Sequence, residues 1–227
     1  MPEADPLPQQ QPWPVRALRW AFFNLWVRFL VLFVLGLNVR HREHLPRQGP
    51  AIVVANHNSH LDTLVLMTLL PRHLLGRVRP VAAMDYFLRN RALAWFARRI
   101  VGILPLQRGR PRRGEDPLAG IDAALDQGAV LILFPEGTRG EPEHLAGFKK
   151  GVARIAERHP RVPVIPVFLH GLGKALPRGE ALLVPFFCDV FVGEDINTGE
   201  PGREAFMQRL EAAMQALAAE GCFPSWE

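Results

Sequence analysis

Apolar positions along the chain fall into two regimes. Between residues 15 and 40 the sequence VRALRWAFFNLWVRFLVLFVLGLNVR is apolar almost throughout, and from Gly49 onward short apolar runs alternate with segments of helical period. At 100° per residue, Arg16, Arg19, Asn24 and Arg28 share one half of a helical wheel, and Leu18, Phe22, Leu25 and Phe29 the other. The wholly apolar stretch, residues 29–37, is nine residues long. As a helix it covers about 14 Å, against roughly 30 Å of bilayer hydrocarbon, and a longer count from Trp20 takes in Arg28. Arg, Trp and Phe together predict a helix lying in the membrane interface rather than crossing it. No small-residue cleavage site follows, as a signal peptide would require. The competing reading is a buried core helix.

Beyond Gly49, strands are expected at 51–55, 80–84, 103–106, 130–134, 162–169 and 182–192. Helices are expected at 61–70, 86–101, 117–127, 148–159 and 203–220. This alternation predicts an α/β fold with a largely parallel central sheet flanked by helices, preceded by the N-terminal membrane-associating segment. At 227 residues a single sizeable core is expected. The divisions are a Pro- and Gln-rich loose tail over 1–14, the helical segment over 15–44, and one domain over 45–227. Helix 86–101 should bury Tyr86, Leu93, Ala97 and Ile100 and turn Arg91, Trp95, Arg98 and Arg99 outward, a second possible membrane contact.

Charge sharpens this picture. Residues 1–113 hold 17 Arg, no Lys and 5 acids, a net +12, whereas residues 114–227 hold 10 basic and 17 acidic residues, a net −7. The basic half calls for an anionic partner. No nucleic-acid module is visible, and an anionic membrane surface attracts each basic residue by about 1 kcal/mol. Cys188 and Cys222 form neither a disulfide framework nor a metal-ligand spacing, which agrees with a reducing compartment.

Two motifs carry candidate chemistry. In N-H-N-S-H-L-D (56–62), His57 and Asp62 are five apart and meet only if the histidine precedes a helix whose first turn holds the aspartate. Ser59 is a suitable N-cap for that helix, and S-H-L-D is a variant of the capping box, so Asp62 has a purely structural reading as well. H-x-x-H-x-D matches no established metal-ligand spacing. The chain has only two serines, Ser59 and Ser225, and no G-x-S-x-G elbow, so a serine triad is poorly supplied. A His–Asp dyad remains, with His57 as base toward a substrate hydroxyl. His60, two residues from Asp62, is a poorer base because i,i+2 side chains on a helix do not face each other. In V-L-I-L-F-P-E-G-T-R-G (130–140) a buried strand runs into a Gly-bounded turn, and ligands bind at such strand ends. Glu136 and Arg139 leave that edge, either as a local pair or toward a ligand. Arg108, at the end of another strand, joins Arg139 as a candidate phosphate clamp.

N-H-N-S-H-L-D, G-I-L-P-L-Q-R, F-P-E-G-T-R-G and V-P-V-I-P-V together resemble, in order, the four sequence blocks of the glycerolipid acyltransferases, and are most similar to those of bacterial 1-acylglycerol-3-phosphate acyltransferases. The resemblance covers residues 45–170. It is strongest in the first and third blocks, is weaker in the second, where it rests on Gly102 and Arg108, and extends to F-K-K-G-V-A-R-I-A. It implies acyl transfer from acyl-coenzyme A or acyl carrier protein, as donor substrates and without a cofactor or metal, to the free hydroxyl of a lysophospholipid. By this resemblance His57 is the base and Asp62 its partner, and Arg108, Glu136, Gly137, Thr138 and Arg139 bind the acceptor. It also implies an N-terminal membrane anchor and a place on the cytoplasmic face of the inner membrane. A different lyso acceptor, transacylation between phospholipids, and a non-catalytic lipid-binding protein are the alternatives.

Overall fold

The computed structural model describes residues 6–59, 61–83, 90–106, 116–137, 147–175, 187–198, 202–221 and 223. Its centre is a seven-stranded sheet built from β1 (Gly36–Arg40), β2 (Ala51–Ala55), β3 (Val78–Ala83), β4 (Leu104–Leu106), β5 (Val130–Leu133), β6 (Val164–His170) and β7 (Phe187–Val192). The order across it is β1-β7-β6-β2-β5-β3-β4, and every neighbouring pair is parallel except β6 with β7. Central strands such as AIVVA and VLIL are buried on both faces and therefore read as unbroken apolar runs. Alternate residues feed two cores: Ala51, Val53 and Ala55 face one, Ile52 and Val54 the other.

The first face carries α1 (Trp13–Val34), α2 (Leu61–Leu69) and α3 (Arg91–Phe96, continued as a looser turn over Ala97–Val101). The second carries α4 (Ala119–Asp126), α5 (Gly151–Arg158) and α7 (Arg203–Glu220). A short α6 (Leu172–Ala175) follows β6 on the first side. Residues 84–89 and 176–186, on which expected strand and helix ends fall, lie outside the described residues.

Three expectations need correction. Residues 6–12 are not a loose tail: Leu7 is buried in the second core, the Pro6 carbonyl accepts from Arg79 Nη1 at 3.1 Å, and Gln9 N–H donates to Gly76. Second, α1 is one helix of 22 residues, long and apolar enough to cross a membrane by length and composition. It nonetheless lies on the domain, because Arg19, Phe23, Val27 and Val31 are buried at a strict four-residue spacing. Two stretches of i→i+5 winding, Phe22–Val27 and Leu30–Val34, loosen the helix beyond about 3.6 residues per turn, so a four-residue repeat stays on one side. Third, Arg19 does not stay with Arg16, Asn24 and Arg28, whose half of the wheel it shares, but is buried. Its guanidinium bonds the carbonyls of Ile100, of Leu75 at 2.9 Å and of Val78 at 3.5 Å, tying α1 to α3 and to the start of β3.

Candidate active site

The site forms where parallel strands end together. Val54 of β2 is in register with Leu133 of β5, and Ala55 with Val167 of β6. The segments leaving β2 (Asn56–Ser59) and β5 (Phe134–Gly137) therefore emerge side by side, at the end of the sheet where open α/β folds bind ligands. Asn56 extends the ladder by one side-chain rung: its Nδ2 donates to the Leu169 carbonyl at 2.8 Å and its Oδ1 accepts the Leu169 N–H at 2.7 Å. Asn58 Nδ2 donates to the same carbonyl at 3.1 Å. Between these two tethers the chain projects His57.

His57 Nδ1 lies 2.9 Å from Asp62 Oδ2. The expected geometry holds, with histidine in the loop and aspartate in the first turn of α2. The same Oδ2 accepts the N–H groups of Asn58 (2.7 Å) and Ser59 (2.8 Å), and the Ser59 hydroxyl accepts from Leu61 N–H. Asp62 thus caps the helix and holds the imidazole at once, so its two readings are compatible. The Asp62 side chain is fully buried and that of His57 is 19% exposed. Burial, the strongest influence, pushes the Asp62 carboxyl above the ordinary aspartate range. The hydrogen bond and charge of His57, and then the backbone N–H groups of Ser59 and Asn58, pull the other way. An ionised carboxylate only accepts, so its contact assigns the proton to Nδ1 and leaves the Nε2 lone pair free. His57 also stacks on Phe134, with ring centroids 4.2 Å apart and planes 22° from parallel.

Glu136 was expected to face the acceptor. It is buried instead, and Oε1 accepts the His57 backbone N–H at 3.2 Å. It straps the β5 turn to the loop that carries His57, 79 residues away in sequence. Gly137 sits at φ +71°, closing a turn through its N–H to the Phe134 carbonyl. Its bare α-carbon makes room for Lys149: an added Cβ would lie 2.4 Å from Nζ and 2.9 Å from Cε. Lys149 N–H in turn donates to the Pro135 carbonyl at 2.9 Å, so the FKKG segment is laced to the FPEG turn. Arg108, Thr138 and Arg139, and the rival base His60, lie outside the described residues. Among the described residues no group of three His, Cys, Asp or Glu side chains could hold a metal ion.

Asn56, Asn58, Phe134 and Lys149 were not singled out from the sequence. The alternation N-H-N was the available signal for the first two, since Asn is the side chain that most closely copies a peptide group.

The sequence model of a family described as Acyltransferase matches residues 36–170. A chloroplastic 1-acyl-sn-glycerol-3-phosphate acyltransferase of Arabidopsis thaliana is 33% identical over 157 residues, 69% of this chain and 42% of that protein. The human 1-acyl-sn-glycerol-3-phosphate acyltransferase alpha is 30% identical over 61% of this chain and 47% of its own length. The chain thus spans less than half the length of these two curated relatives. The crystal structure of the 1-acyl-sn-glycerophosphate acyltransferase PlsC from Thermotoga maritima superposes with a TM-score of 0.71 at 22% identity, covering 94% of this chain and 81% of that one, and so shares the fold.

Proposed function

We propose, from the premise that the chain belongs to the acyltransferase family, that it moves an acyl group from a thioester to the free hydroxyl of 1-acylglycerol-3-phosphate, giving phosphatidic acid. His57 Nε2 takes the hydroxyl proton as the acceptor oxygen attacks the thioester carbonyl carbon. The tetrahedral intermediate then collapses, the C–S bond breaks, and the thiolate leaves with the proton returned by the imidazolium. A thiol of pKa near 8.5 needs little acid assistance to depart. Asp62 holds the Nδ1–H tautomer and steadies the imidazolium. The observation that carries this reading is the 2.9 Å contact between His57 and a fully buried Asp62, with the imidazole edge still reachable from outside.

Glu136 is a positioning residue in this scheme, acting through the His57 backbone. The Lys149 ammonium, held across Gly137, supplies positive charge for the acceptor phosphate alongside Arg108 and Arg139. Acyl-coenzyme A and acyl carrier protein are both admissible donors. The chain works from a membrane surface, taken to be the cytoplasmic one. Support comes from the exposed side of α1, where Trp13, Leu18, Trp20, Leu25, Trp26, Phe29, Leu32 and Phe33 are all open to solvent. Apolar surface of that extent marks a membrane or partner contact. The buried stripe along α1 favours its lying flat over its crossing.

The test is thiol release from acyl-coenzyme A with and without 1-acylglycerol-3-phosphate. Release that depends on the acceptor, with phosphatidic acid as product, is expected. Equal release without acceptor would make the protein a thioesterase, and no release with either thioester donor would remove the catalytic reading.

A further inference from the structure

A cleft of about 520 Å³ opens at the start of α1, between that helix and the turn over residues 71–76. Trp13, Arg16 and Trp20 line one side, Arg72 and His73 the other, and Arg19 lies between them. It is remote from His57. The turn precedes β3, so it sits at the opposite end of the sheet from the ends of β2 and β5. α1 then runs to Gly36, which pairs with Phe187 at the His57 end. Twenty-two residues of helix at about 1.5 Å each separate the two places by roughly 30 Å.

Among the described residues the cleft is lined by cations and by no carboxylate. Neither Arg16 nor Arg72 pairs with a carboxylate among the described residues, and both are exposed. Arg19 is buried, its guanidinium donates to backbone carbonyls, and its Nε has no hydrogen-bond partner. Burial and the nearby Arg79 charge lower Arg19 only to about 9, so it stays charged at neutral pH. Arg28 is lowered too, first by burial and then by Arg72 and Arg42, which places three guanidinium groups in one field. At the rim, Trp13 and Trp20 are 76% and 60% exposed and continue the apolar side of α1. Indole rings flanked by arginine forks suit the level of lipid headgroups, with acyl chains lying along the helix beyond.

We propose that this cleft binds the phosphate-bearing headgroup of an anionic membrane phospholipid, a second lipid contact at the far end of α1 from the catalytic dyad. The proposal rests on the reading of α1 as a membrane-surface helix. It gives the chain two points of attachment and sets the direction in which α1 lies on the bilayer.

The test is binding of the full chain to phosphatidylcholine vesicles with and without phosphatidylglycerol, for the wild type, Arg16→Ala/Arg72→Ala and Arg16→Lys/Arg72→Lys. Phosphatidylglycerol is expected to tighten wild-type binding by about tenfold or more. The alanine pair should lose most of that gain. The lysine pair, which keeps the charge and loses the fork, should lose a large part of it too. Both pairs should keep wild-type turnover on a short-chain, water-soluble acceptor, which checks folding. A lysine pair with the full wild-type preference would reduce the cleft to a diffuse basic patch and overturn the site. Wild-type binding that ignores phosphatidylglycerol would overturn it as well, while leaving α1 as a membrane helix. Wild-type protein that binds neither vesicle would sink the membrane reading together with the cleft.

Discussion

The two faces of the central sheet are built from different surface chemistry. All of the exposed large apolar side chains among the described residues lie on α1, on α3 or at the start of β7, and none on α4, α5 or α7. The second face instead carries polar pairs: Arg158 with Asp116 and Asp122, His159 with Asp122, and Arg203 with Glu157. The charge division along the sequence thus becomes a division in space, with the arginine-rich half supplying α1, α2 and α3. One face is finished for water. The other leaves apolar surface open together with Arg16 and Arg72, which pair with no carboxylate among the described residues, and it also bears α2, whose first turn holds Asp62. On the proposed function, the base stands on the face that would meet lipid.

The largest effects should come from the dyad. His57→Ala should lower kcat by about two to four orders of magnitude, with a fall in Tm too small to unfold the protein, from the lost stacking on Phe134 and the lost partner of Asp62. Asp62→Asn should cost activity on a similar scale, because an amide facing Nδ1 favours the tautomer with the proton on Nε2 and removes the base. Its effect on stability has the opposite sign. The Asp62 carboxyl is raised by folding, so the folded state binds more protons than the unfolded state just above the ordinary aspartate pKa. Stability therefore falls as pH rises through that window, and asparagine escapes the loss. Equal or higher Tm for Asp62→Asn at neutral pH, measured beside its kcat, separates a functional carboxylate from a merely structural cap. A variant that kept activity and lost Tm would reverse the assignment.

Next in size is the membrane contrast. Trp26→Ser with Phe33→Ser, two side chains each 75% exposed on α1, should weaken vesicle binding by on the order of tenfold per residue. Co-sedimentation with vesicles reads this directly. Unchanged binding would mean that the open side of α1 is covered by something other than lipid. Lys149→Met should raise KM for a phosphate-bearing acceptor by about tenfold, the size of one charge-assisted hydrogen bond. kcat should hold. Loss of kcat with KM unchanged would place Lys149 among structural residues of the FPEG turn.

How much of this was legible beforehand depended on the range of the interactions. β2 and α7 have the bounds their patterns predict, because each is fixed by a local apolar period. The His57–Asp62 contact was legible for the same reason, since a five-residue spacing across an N-cap admits few geometries. β1 was not. GLNVR is a half-exposed edge strand directly after an apolar helix, and it shows no apolar run of its own. Arg19 and Glu136 were misread because their partners lie 56 to 81 residues away, where no spacing rule reaches. On α3 the wheel put Leu93 in the core, yet it is exposed, as Trp95 is, on the side of the sheet that carries most of the other open apolar side chains.

The smallest effect should come from the water-facing side, and its smallness is the point. Arg158 donates to Asp116 at 2.7 Å and to Asp122 at 2.6 Å, yet its side chain is 41% exposed. The Arg158 hydrogen bond holds the Asp116 carboxyl below its ordinary range, helped by the Leu118 N–H. A depressed carboxyl lends stability above its unfolded pKa and loses it as pH falls through the folded one. Water and salt screen such exposed pairs nearly to nothing. Arg158→Ala should therefore leave Tm unchanged at neutral pH and ordinary salt, leave vesicle binding unchanged, and differ from wild type only as a slight change in acid unfolding at low salt. The same deletion of one arginine at position 72 should weaken binding to anionic vesicles. If the two deletions had equal effects on vesicle binding, the contrast between the faces would be a matter of net charge and not of where the charges stand.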